Sequence, residues 1–211
     1  MNKRTKIIIA VAAAIAVAAA AAVTVYAYLQ NKIEQPNRFV IGEDKNSVVE
    51  VFTEPNTMST ESTMQKQVKV TNSGTSDQFV RVYLDFSDSR VRDNATINYK
   101  VGNTDKQGTW AQFLADFPND STQTDWKYVP DSDATLGGYF YYTKKLTPGE
   151  TTPSLIEGVK TTFPNTDSIR DFDIVVYSES VQTSEIDAAG TQYQDGDWRI
   201  AWTIFLNPNQ S

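Results

Sequence analysis

The chain contains no cysteine and no histidine. Without Cys no disulfide can fasten it, so a packed core or neighbouring chains must supply its cohesion. Without His the commonest zinc ligand and the commonest general base are gone. A Ser/His/Asp triad is excluded, as is an HExxH zinc-peptidase helix. Charge is missing from one long stretch, residues 7–29, "IIIAVAAAIAVAAAAAVTVYAYL". After that stretch no repeat, long linker, low-complexity run or Gly-rich phosphate loop occurs. These absences predict a protein that is not an enzyme and carries no cofactor and no catalytic or metal-binding residues.

The uncharged stretch follows Lys3, Arg4 and Lys6, the layout of an export signal. A helix of that length reaches about 34 Å, enough for a bilayer core of about 30 Å. Two readings follow. Residues 1–29 are a signal peptide, with Val25-Tyr26-Ala27 placing small residues before a cut after Ala27. Alternatively they are a transmembrane anchor, with the basic end in the cytoplasm. Eleven of the 23 residues are Ala, whose methyl gains little on leaving water, and this favours cleavage. Both readings export residues 30–211 as a single β-domain.

Net charge is −7. The first 28 residues hold three cations and no acid, leaving 16 cations against 26 acids, or −10, in the remainder. That balance argues against nucleic acid and anionic lipid as partners. It suits solubility and weak divalent-cation binding.

From Arg38 onward the sequence reads as strands. "RFVIG" and "VVEVFT" are short runs of β-branched and aromatic residues. "KQVKVTNSG" puts Val68 and Val70 on one face and Lys69 on the other. "QFVRVYLDFSD" alternates Val80, Val82, Leu84 and Phe86 with Arg81, Tyr83 and Asp85. "TNSGTSD" between them predicts a hairpin, with Lys69 and Arg81 on the wet faces of adjacent strands. "ATINYKVG" reads as a strand. "TWAQFLADFP" spaces Trp110, Phe113, Leu114 and Phe117 for a short helix stopped by Pro118. "DWKYVP" and "GYFYYTKKL" read as paired strands joined by "DSDATLG", and "TPGET" as a turn. "SLIEGVKTTF" and "DFDIVVYSESVQT" read as strands, the latter with Phe172, Ile174 and Val176 on one face. "WRIAWTIFLN" fits a last strand or a short helix. Eight to ten strands with short turns predict an antiparallel, jelly-roll-like β-sandwich with one or two short helices.

Tyr139 and Tyr141 alternate with Phe140 and Tyr142. Alternation buries Phe140 and Tyr142 and exposes Tyr139 and Tyr141, which either grip a sugar ring or partner protein or make ordinary cross-strand pairs. Trp110, Trp126, Trp198 and Trp202 read as core or rim. The acidic pairs Asp85/Asp88, Asp131/Asp133, Asp171/Asp173 and Asp195/Asp197 lack a twelve-residue calcium loop and read as solvated loop acids.

Taken in order, several stretches resemble one family. "VYAYLQNK" after an Ala-rich run, then "NRFVIGE" and "VVEVFTEP", is similar to the start of Gram-positive proteins exported through a SipW-type signal peptidase. "KVTNSGTSDQFVRVYLDFSD" resembles their central strand pair. "KKLTPGETTPSLIEGV" and "DFDIVVYSESVQTSE", with a Trp-containing tail, resemble the second half. The family is that of TasA and camelysin, and the resemblance covers nearly the whole exported chain. Its tail "GDWRIAWTIFLN" departs from the pattern in being less helix-like. The resemblance implies a jelly-roll domain, export to the cell surface or biofilm matrix, and in one branch assembly into fibres. Camelysins carry a metallopeptidase label, which the absence of His disfavours here.

These readings combine into an expected mechanism. Arg38, Phe39, Val40 and Ile41 form a strand that adds to the sheet edge of another copy once the signal is cut. The expected partners are further copies or related matrix proteins, and the signal peptidase. The membrane is met only through the N-terminal segment. The alternative is a monomeric cell-surface adhesin or binding module.

Overall fold

A computed structural model describes residues 45–53, 58–118, 124–183 and 193–207 of the chain. The expected signal or anchor segment 1–29, the cleavage candidate Ala27 and the expected assembly strand at residues 38–41 lie outside the described residues. Among the described residues no helix is long and apolar enough to cross a membrane.

The described residues form nine strands and three α-helices: β1 (Asn46–Thr53), β2 (Glu61–Asn72), β3 (Gln78–Phe86), α1 (Ser89–Asp93), β4 (Ala95–Val101), β5 (Thr104–Thr109), α2 (Trp110–Ala115), β6 (Trp126–Val129), β7 (Tyr139–Tyr142), β8 (Gly158–Thr162), β9 (Ile174–Gln182) and α3 (Trp198–Leu206). They form a five-stranded sheet, β1-β2-β8-β4-β5, and a four-stranded sheet, β6-β7-β3-β9. Every strand pair is antiparallel. The fold is an all-β sandwich.

Period-two alternation decides what fills it. Met64, Val68 and Val70 of β2, Ile97 and Tyr99 of β4 and Val159 of β8 point inward from one sheet. Val80, Val82, Leu84 and Phe86 of β3 and Phe140 and Tyr142 of β7 meet them from the other. The expected inward set on β3 is thus wholly core. Phe172, Ile174 and Val176 pack against the same cluster, as predicted.

Helix α2 plugs one end. Its Thr109 N-cap accepts from the Gln112 amide while the Gln112 side chain accepts from the Thr109 amide, a closed capping box. Phe113 and Phe117 enter the core from there and meet Phe140 at centroid distances of 5.1 and 6.0 Å.

Two expectations are corrected here. The segment after β2 is not a hairpin. Asn72 is fully buried, and its amide donates to the Ser76 and Leu146 carbonyls at 2.9 and 2.7 Å. That steers the chain across the end of the sandwich, so β3 enters the other sheet. Lys69 and Arg81 therefore do not lie on adjacent strands. A strand unforeseen in the sequence, β5, pairs with β4 through the turn at Gly102, whose φ is 57°. Its polar run "TDKQGT" has no apolar alternation to read.

The tail, open between strand and helix, is helix α3. Trp198, Ala201 and Trp202 are buried on one side of it. They pack with Phe79, Val129, Leu136, Tyr141, Val181 and Tyr193 on the outer face of the four-stranded sheet. The sequence therefore builds three layers over this sheet's two faces. All described residues fall within one compact unit, Gly42–Ser211.

Phe140 joins both parts of the inter-sheet aromatic cluster, contacting Phe113, Phe117 and Tyr128. Phe140→Ala is expected to cost about 3–5 kcal/mol of stability, whereas Val49→Ala on the exposed edge should stay within about 0.5 kcal/mol. Urea unfolding of both variants checks the contrast.

Candidate functional site

Three neighbouring strands, β7, β3 and β9, bring their outward side chains together in two rows. The first row is Tyr141, Arg81 and Glu179, set side by side by the pairings Arg81↔Tyr141 and Arg81↔Glu179. The second is Tyr139, Tyr83 and Tyr177, with Tyr83 directly opposite Tyr177.

Arg81 organises the first row. Its guanidinium lies 3.9 Å from the Tyr139 ring centroid and 4.4 Å from that of Trp202 on α3. Nη1 donates to the Tyr141 hydroxyl at 3.1 Å, and Nε and Nη2 pair with Glu179. The residue is only 6 % exposed, not on a wet face as its alternation predicts. The helix is the reason: it roofs this half of the sheet. Burial alone pulls the guanidinium pKa down, and the hydrogen bonds to Tyr141 and Glu179 outweigh it, so the group stays charged.

Tyr141 likewise does not face solvent. It is 0 % exposed, with its ring 4.8 Å from Trp198, and its hydroxyl donates to the Leu136 carbonyl at 2.7 Å. This corrects the expectation that paired it with Tyr139 as an open aromatic contact. Leu136 sits in the β6–β7 connection. Asp133 shapes that loop by accepting from the Thr135 and Leu136 amides, each at 3.0 Å. Gly137 closes it, since a Cβ there would meet the Asp133 carbonyl oxygen at 2.5 Å. Arg199 of α3 reaches Asp133 at 3.6 Å, tying helix to loop.

Accessibility increases along the second row. Tyr83 and Tyr139 are half-buried, whereas Tyr177 is 42 % exposed. Tyr83 stacks on Tyr177 with 5.1 Å between centroids, and Tyr139 meets Tyr177 edge-on at 6.0 Å. The Tyr139 and Tyr177 hydroxyls touch at 2.5 Å. Exposed Val175 extends the patch. The sequence pointed to Tyr139 alone. Tyr83 and Tyr177 each sit alone on their strands, and only the strand order makes them neighbours.

A second feature is the open edge of the five-stranded sheet. Among the described residues β1 pairs with one strand, β2, across eight positions. Val49 and Val51 are 42 % and 44 % exposed on its outer side. Glu50, exposed on the opposite face, pairs with buried Lys66 at 2.6 Å. At the Asn46 end the strand is hydrogen bonded to Ser178 and Ser180 of β9, so β1 and β9 flank the same side of the sandwich. The opposite edges look different. β5 is polar, and β6 is bridged at Tyr128 by Pro118.

No protein-family model matches this chain, and no curated protein does either.

Several members of the acidic pairs serve their loops or neighbouring strands. Asp88 caps α1 through the Arg90 amide at 2.9 Å, Asp85 pairs with Arg92 at 3.1 Å, and Asp195 and Asp197 accept from the Lys145 and Gln194 amides. Hydrogen bonds from Arg90 hold the Asp88 carboxyl at about 2. Among the described residues no three acids gather as a metal site.

Two outcomes are expected from this chemistry. Arg81→Lys keeps the charge but loses the planar fork and the ring stacking, and should cost about 1–3 kcal/mol in chemical unfolding. The phenols set a limit in alkali. Burial, aided by Asp125, Glu150 and Asp195, pushes Tyr142 up to about 12, and burial also raises Tyr99, Tyr128, Tyr139 and Tyr141. A phenol raised on folding contributes stability that is whole below its unfolded value of about 10 and drains as pH climbs through the folded value. The protein should therefore lose stability steadily between about pH 10 and about pH 12. Phenolate absorbance should appear together with the loss of circular dichroism.

Proposed function

We propose that this chain is an exported structural protein of the cell surface or biofilm matrix, whose copies join by strand addition into fibres. One observation carries the reading: among the described residues β1 is an eight-residue edge strand that contains no lysine or proline and exposes Val49 and Val51, with Glu50 as its one charge. Unpaired edge groups template the pairing of another chain, and proteins that stay apart protect such edges. The segment of residues 38–41, four residues ahead of β1 in sequence, is the proposed donor. Phe39 and Ile41 would fill pockets on the receiving copy while backbone hydrogen bonds supply the affinity. Head-to-tail addition that does not close produces a filament.

The same proposal takes the sandwich as jelly-roll-like. Supporting it, the chain repeatedly changes sheet, with β1, β2, β4, β5 and β8 in one and β3, β6, β7 and β9 in the other. The resemblance to the TasA and camelysin family motivates the export route and the matrix setting. Residues 1–29 then act as a signal whose removal near Ala27 frees the donor strand, or as an anchor that withholds it. Other copies and related matrix proteins are the partners.

A second reading, a monomeric surface adhesin, is favoured by one feature: the half-open row of Tyr83, Tyr139 and Tyr177 with Val175 beside it. Aromatic rings with hydroxyl tips suit a sugar or a protein partner.

Chains beginning at Tyr28 and at Gly42 separate these readings. The longer is expected to form sedimentable filaments and the shorter to remain monomeric. Val49→Lys with Val51→Lys in the longer chain should suppress filaments without lowering the thermal midpoint. Equal filament yield from both starting points would reject strand donation. A concentration-independent monomer mass for the longer chain would favour the adhesin.

A further inference from the structure

The contact between Tyr139 and Tyr177 has a chemical consequence independent of fibre formation. We propose that these two side chains are a site of oxidative phenol coupling, closing a dityrosine bond within one chain. The reaction joins ring carbons next to the phenolic oxygens, so it needs two phenols meeting at their hydroxyl ends. Tyr139 and Tyr177 do so, with 2.5 Å between oxygens and ring planes at 86°. Tyr83 is also close to Tyr177 but stacks face to face, at 24° between planes, which presents ring faces rather than the coupling carbons.

Both partners are held for the step. Arg81 lies against the Tyr139 ring, and Tyr83 against that of Tyr177. Tyr177 is the reachable member, at 42 % exposure. The co-reactant is a peroxide, acting through a haem peroxidase supplied from outside. Each phenol gives up an electron and its hydroxyl proton to become a phenoxyl radical. The radicals join at the ring carbons beside oxygen, and the hydrogens on those carbons move to oxygen to restore two phenols. In sum, two C–H bonds break and one C–C bond forms. Two electrons and two protons pass to one peroxide, giving two waters.

The bond fastens β7 to β9 across β3, closing a separation of 38 positions in sequence. A cross-link between distant positions stabilises mainly by restricting the unfolded chain. In a protein with no cysteine it supplies the covalent fastening that a disulfide cannot.

The full-length chain, dilute in detergent, is treated with hydrogen peroxide and a haem peroxidase. The expected product is a monomer lighter by two hydrogen atoms, with dityrosine fluorescence and a linked peptide pair containing Tyr139 and Tyr177. Its thermal midpoint should rise. Tyr139→Phe and Tyr177→Phe should each abolish the intrachain link, while Tyr83→Phe keeps it. Matching circular dichroism melts before oxidation establish that the variants fold. A link between Tyr83 and Tyr177, dityrosine found only between chains, an unlinked product, or a signal unchanged in Tyr177→Phe would overturn the assignment.

Discussion

A buried guanidinium stands at the centre of the join between the third layer of this protein and the second, within the apolar packing of α3 on the sheet. Arg81 sits in the middle of the four-stranded sheet, between the Tyr139 ring of β7 and the Trp202 ring of α3, with Glu179 and Tyr141 meeting its donors. Removing a charge from water is costly, and the cost is met only where hydrogen bonds and a counter-ion surround it. Here Glu179 stays partly exposed, so the pair keeps some contact with solvent. The planar guanidinium also offers two faces, which lets ring and helix pack on either side of one residue. Arg81 thus links β3 to β7, β9 and α3 together.

The two sheets differ as a result. The four-stranded sheet is covered inside by the main core and outside by α3. Among the described residues the five-stranded sheet is covered on one face, and its outer face carries Lys69, Lys160, Lys100 and Gln107 on neighbouring strands. The proposed assembly edge belongs to this thinner sheet, and the tyrosine row to the covered one. Both reach the same side of the sandwich through β1 and β9. Self-association and covalent fastening would therefore act at neighbouring places without sharing residues.

Several elements could be read from local pattern. Val80, Val82, Leu84 and Phe86 alternate without a break, and that strand is central. Trp110, Phe113 and Phe117 have helical spacing, and α2 forms there. The strands "WKYV" and "YFYY" pair as read, because a tight connection leaves them few alternatives. Helix α3 was also within reach: Trp198, Ala201 and Trp202 stand at helical spacing, a signal obscured by the β-forming Ile and Thr residues among them. β5 offered no signal, since its polar residues are held by pairing with β4 rather than by burial. Of the tyrosine row only Tyr139 was legible, because it belongs to an aromatic run.

By itself the sequence determined the class of the fold, the inward faces of β2, β3, β7 and β9, and the exclusion of His- and Cys-dependent chemistry. Those follow from local periodicity and composition, which act over a few residues. Tertiary structure alone decided that β2 and β3 part into different sheets, that Arg81 and Tyr141 lie under a helix, and that Tyr139 and Tyr177 touch. Alternation states which side chains share a face. What covers that face comes from residues far along the chain, and no local pattern encodes it.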